Sequence, residues 1–97
     1  MEVENNIKQK IINLVRERPQ YANILRNAVE IEENPPNDFV AKYGWEWYEV
    51  QAMPAHLTKL VGEGILKIGY KSRRYTHYKL TDLQQTKEAL KELGLLD

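Results

Sequence analysis

The side chains best suited to recognition chemistry form one run, Lys71-Ser72-Arg73-Arg74. A guanidinium presents a planar fork of donors that matches two phosphate oxygens, so adjacent arginines flanked by a lysine and a serine are equipped to hold phosphates or to enter a minor groove. The same run also reads as a solvated turn that resists aggregation.

Other reactive types occur without a pattern that makes a site. The chain has no cysteine, which excludes a disulfide framework, a thiolate metal site and a cysteine nucleophile. His56 and His77 are too far apart in sequence, with no cysteine beside them, to form a recognisable metal site, so no metal and no cofactor are expected. The acidic stretch from Glu30 to Asp38 lacks the alternating ligands and central glycine of a calcium loop and reads as a solvated face. There is no phosphate-binding glycine loop, nucleophile elbow or acid–base constellation, so the chain is not expected to be an enzyme. Tyr43, Trp45, Trp47 and Tyr48 offer rings for stacking single-stranded nucleic acid or, as the more ordinary role, for filling a core.

These residues sit in 97 residues, the size of one domain with a single core over residues 1–97. With 42% hydrophobic and 29% charged residues the composition is that of a folded chain. Neither a membrane span nor a basic-apolar leader is visible, which predicts a cytoplasmic protein with no membrane partner. The formal charge is zero, but it is unevenly spread. Residues 28–50 carry six carboxylates against Lys42 alone, and residues 59–79 carry six cations against Glu63 alone. A dipolar domain follows.

Periodicity then places the elements. Val3, Ile7, Ile11, Leu14 and Val15 define a helix near 4–18, closed by Pro19, and Tyr21, Ile24, Leu25, Ala28 and Val29 define a second near 21–33. A third short helix is expected near 36–43, capped by Asn34 and left at Gly44, and residues 45–50 form a short strand or an ordered connection. Met53, Leu57, Leu60 and Val61 give an inward stripe for a helix near 52–63, with Pro54 in its first turn and Gly64 after its last. A hairpin follows over 65–80, with Leu66, Ile68, Tyr78 and Leu80 packed and Lys67, His77 and Lys79 wet. Thr81 and Gln84 match a capping box for a last helix near 82–93, striped by Leu83, Leu90 and Leu93.

This order is α+β, a helical bundle with a C-terminal β-hairpin and a closing helix, and it resembles the winged helix-turn-helix superfamily. The likeness is carried by PAHLTKLVGEGILKIGYKSRRYTHYKLTD from Pro54 to Asp82. There a helix with a leucine-x-x-leucine pattern, a Glu63-Gly64-Ile65-Leu66 step and a returning strand ending Tyr78-x-Leu80-Thr81 are similar to a recognition helix and wing. Roughly the last half of the chain is covered, and the segment 19–33 is extra to the minimal fold.

The resemblance implies a non-catalytic module for double-stranded DNA, a transcription regulator or an accessory domain of DNA-handling machinery, with the helix in the major groove and the wing on the backbone. With Leu57 inward, Gln51, Ala55, Lys59 and Gly62 point out, flanked by His56 and Thr58. The candidate DNA-binding residues are therefore Gln51, Ala55, His56, Thr58, Lys59, Lys71, Ser72, Arg73 and Arg74. The alternative is a winged helix that binds protein and not DNA, since fold does not fix function; a second copy, docked through the first or last helix, is one such partner.

Overall fold

Pro19 shapes the start of the molecule. It carries no amide proton to continue the first helix, and its fixed φ of −59° begins the next, so two helices meet across a break of two residues. The computed structural model describes residues 6–96. The chain runs α1 (Ile7–Glu17), α2 (Gln20–Glu33), α3 (Asp38–Tyr43), a single 3-10 turn at Trp47–Glu49, α4 (Pro54–Gly62), β1 (Leu66–Lys71), β2 (Thr76–Leu80) and α5 (Leu83–Glu92). The expected entry of the first helix at Val3 lies outside the described residues.

The apolar stripes of α1 and α2 are buried as their spacing requires, and α5 packs across both. One continuous core results, running from Ile11 and Leu25 in the helices through Trp45, Leu57 and Leu60 to Ile65, Leu66 and Leu90. The radius of gyration is 12.7 Å, against about 12.5 Å expected for a chain of this length packed around one core. Among the described residues no helix is long and apolar enough to cross a membrane.

Three caps lie elsewhere than the spacing predicts. Asn34 closes α2, its amide donating to the Glu30 carbonyl, and Asn37 caps α3 by accepting from the Val40 amide at 2.9 Å. Pro35 and Pro36 therefore precede α3, which starts at Asp38 and not near 36. At α5 the cap is Asp82, not Thr81: its carboxylate accepts from the Gln85 amide at 2.9 Å and from the Gln85 side chain at 3.1 Å, while the Thr81 amide donates to Ile65. At α4 the helix begins at Pro54, and Met53, expected inward, is extended and 63% exposed. Outside the helix its position in a 3.6-residue period has no meaning.

β1 and β2 pair antiparallel with Leu66 opposite Leu80 and Ile68 opposite Tyr78; a bulge at Gly69 then sets Tyr70 opposite His77. Trp45 extends this sheet by one residue, exchanging backbone hydrogen bonds of 2.9 and 2.7 Å with Tyr78 before the chain enters the 3-10 turn. Close approach fixes two glycines here. A Cβ on Gly69 would stand 2.0 Å from the Tyr43 carbonyl oxygen, and one on Gly44, whose φ is +110°, would stand 2.3 Å from that of Tyr78. The end of α3 thus lies directly on the hairpin.

That placement overturns the expected wet face. His77 is buried because α3 and the segment after it cover the side on which it points, whereas Ile68, expected in the core, is 46% exposed. The aromatic segment divides: Trp45 is fully buried, with its indole N–H on Glu32, while Trp47 and Tyr48 are exposed.

Candidate nucleic-acid interface

The hairpin follows α4 after a turn at Gly64 and packs against it, so the two elements share a surface. Leu57 and Leu60 anchor α4 in the core, which turns Ala55, Thr58, Lys59 and Gly62 to solvent. Thr58 and Val61 from α4, Ile68 and Lys71 from β1, and Thr76 and Tyr78 from β2 line one open groove of about 350 Å³. Its walls are a helix face and a hairpin face, and its outer end carries cations.

At the tip, Ser72 and Tyr75 close the turn: the Ser72 amide donates to the Tyr75 carbonyl at 2.8 Å and the Tyr75 amide to Ser72 Oγ at 3.1 Å. Ser72 is half-buried and its hydroxyl is engaged, which makes it the brace of the turn. Lys71, Arg73 and Arg74 are exposed and pair with no carboxylate among the described residues. Three uncompensated cations on a braced tip form a local positive field.

The other candidates are dispersed. Lys59 Nζ lies 3.1 Å from Glu63 Oε2, one turn along α4, and both line a separate cleft with Lys10 and Glu17 of α1. Its charge is locally offset. Thr58 Oγ1 donates to the Pro54 carbonyl at 3.1 Å, leaving its lone pairs free to accept. His56 is half-buried with its ring 5.1 Å from that of Tyr21 on α2. Gln51 is not on α4 at all: it occupies a left-handed turn at φ 57° and lines a cleft with Glu30, Asn34 and Glu49, on the acidic side. The geometry therefore brings Thr58 and Lys71 to one groove, with Ala55 and Gly62 on the exposed side of α4 and Arg73 and Arg74 following Lys71 in the chain, and it leaves Lys59 at the edge and Gln51 and His56 apart.

A second group of side chains joins Trp47 and Tyr48 of the expected aromatic run to three rings that sequence spacing does not single out, Phe39, Tyr70 and Tyr75. Phe39, Trp47, Tyr48, Tyr70 and Tyr75 are all large and exposed. Phe39 and Tyr70 lie 5.0 and 5.7 Å from the buried His77 ring, whose Nδ1–H donates to the Gly44 carbonyl at 3.0 Å. The Tyr48 hydroxyl donates to Glu46 Oε2 at 3.0 Å, and that oxygen lies 3.7 Å from His77 Nε2. The hydrogen bond to Glu46 holds the Tyr48 pKa above its ordinary value, and burial does the same for Tyr78. The signal available in the sequence was Gly69, since a glycine inside a strand marks a bulge and a bulge turns the following side chain to the other face.

Searches against family models, curated proteins and solved structures returned no match for this chain.

Proposed function

We propose that this chain is a non-catalytic winged-helix module that binds duplex DNA, with α4 in the major groove and the hairpin as a wing on the adjoining backbone. One observation carries the reading: Thr58 of α4 and Lys71 of the hairpin line a common groove, and the exposed arginines Arg73 and Arg74 follow at its outer end. A helix about 10 to 12 Å across fits a major groove, and cations set to one side of it meet the phosphates of the flanking strand.

The side chains that α4 offers the groove are small or polar, with Ala55 and Gly62 permitting close approach and Thr58 and Lys59 the available hydrogen-bonding groups. Such a surface favours affinity for the backbone over strong base discrimination. Neutralising about four or five phosphates gives a slope of log affinity against log salt of roughly −4. The test is a binding titration with random duplex at several salt concentrations, for the wild type and for Arg73→Glu with Arg74→Glu. Weaker binding of every duplex by the double variant is expected; unchanged binding would refute the reading.

A further inference from the structure

We propose that the exposed rings bordering the opposite face of the hairpin, where α3 and the segment after it cover His77, hold unpaired nucleotides, so that the preferred ligand is a duplex continuing into a single strand past the hairpin tip. The proposal rests on the duplex reading and specifies its substrate.

A two-stranded sheet has two faces, and here they differ in chemistry. Thr76, Tyr78 and Leu80 look toward α4, whereas His77 and Lys79 look the other way. The bulge at Gly69 brings Tyr70 onto the His77 face. Tyr75 stands two residues before His77, in a ladder prolonged by the Ser72–Tyr75 hydrogen bond, and so shares that face. From outside the hairpin, Phe39 reaches Tyr70 and His77, and Tyr48 reaches the same histidine through Glu46, with Trp47 edge-on to Tyr48 at 5.7 Å. Around one buried histidine, five rings are between 39% and 56% exposed.

Charge decides among occupants for such a surface. Lys67 and Lys79 face each other on the His77 side at one end, and Arg73 and Arg74 stand beside Tyr75 at the other. None of the four is paired with a carboxylate among the described residues. Of the two carboxylates beside Tyr48, Glu46 is buried and taken up by the Tyr48 hydroxyl, and Glu49 accepts from the Glu46 amide at 2.9 Å. Ring faces bounded by cations that pair with no carboxylate among the described residues match a strand whose bases stack and whose phosphates are anionic.

The experiment compares labelled probes by fluorescence anisotropy: a blunt duplex, the same duplex with a thymine extension on one strand, and the free single strand. The extended duplex is expected to bind at least about tenfold more tightly than the blunt one, since one stacked base alone is worth about that factor. Tyr48→Ala with Tyr75→Ala removes this gain and leaves blunt-duplex affinity unchanged, while Tyr48→Phe with Tyr75→Phe keeps it, because stacking needs the ring and not the hydroxyl. Both positions are at least half exposed, so the variants are expected to fold, and circular dichroism checks that they do. Equal affinity for blunt and extended duplexes, or a gain that survives the alanine pair, overturns the proposal. Binding of the single strand that depends on both rings, with no binding of blunt duplex, removes the duplex reading and leaves the aromatic face standing.

Discussion

Thr58 on α4 and Lys71 at the end of β1 stand on opposite walls of one groove, a helix hydroxyl and a hairpin ammonium facing the same solvent channel. The proximity follows from the chain: α4 ends at Gly62, β1 begins at Leu66, and the tight turn between them lays the hairpin along the helix. A charge change on either wall should thus be felt by a ligand that touches both. Lys71→Glu is expected to weaken duplex binding about tenfold or more at low salt. Lys59→Ala costs less, because Glu63 at 3.1 Å already offsets that ammonium. Affinities of the two variants on one duplex check the order; a larger loss for Lys59→Ala would move the contact surface toward α1.

Replacing Arg73 and Arg74 together by glutamine removes two charges without reversing them. The slope of log affinity against log salt then becomes shallower by about two, the same for all sequences. An unchanged slope would mean that the arginines meet no phosphate.

The approach of α3 to the hairpin makes a stability prediction. At Gly69 an added methyl would meet the Tyr43 carbonyl, and at Gly44 it would meet that of Tyr78 in a backbone conformation that side chains rarely adopt. Gly69→Ala and Gly44→Ala are each expected to cost about 2 to 3 kcal/mol in urea unfolding. Gly62→Ala is the control, since a Cβ there meets nothing within 4 Å; it should be neutral or stabilise by up to about 1 kcal/mol.

Much of this framework was legible locally. The cores of α1, α2, α4 and α5 follow from apolar spacing, and the hairpin from two short runs about a basic turn. What was not legible depends on contacts between distant segments. His77 alternates correctly for a wet face, and only the arrival of Phe39 and Glu46 from α3 and the segment after it buries that face. Gln51 and Met53 continue the helical spacing on paper, yet Gln51 adopts a left-handed turn and the helix cannot start before Pro54. The candidate surface is the least legible part, because Gln51 and His56 fall on it only if α4 keeps its helical register back to Gln51, and Tyr70 owes its face to a bulge.

Glu32 links the helical layer to the hairpin through one atom: Oε2 accepts the Trp45 indole N–H at 2.9 Å and the Leu80 amide at 2.6 Å. Glu32→Ala strips the partner from two buried donors and should cost about 3 kcal/mol. Glu32→Gln keeps an oxygen able to accept from both and should cost about 1 kcal/mol. Thermal unfolding of the pair separates the hydrogen bonds from the side chain's bulk; equal losses would show that packing, not acceptance, is what Glu32 supplies.

Tyr48 gives a pH prediction. Its hydroxyl donates to Glu46, which favours the neutral phenol and raises the pKa in the folded chain. A folded-state pKa above the unfolded one contributes stability that is complete below about pH 10 and is lost as pH rises through the higher folded value. The tyrosinate absorbance that disappears in Tyr48→Phe should have a midpoint above 10, and Glu46→Gln should lower it. A midpoint insensitive to Glu46 would show that the hydrogen bond does not persist in solution.

If α4 and the hairpin form one surface for a duplex, an amide chemical-shift titration with a short duplex will move residues of both elements together. Joint, salt-sensitive shifts at Thr58, Lys59, Lys71, Arg73 and Arg74 are expected, with the acidic cleft around Glu30 and Gln51 unmoved. Shifts confined to α1, α2 or that cleft, or none at low salt, would contradict it.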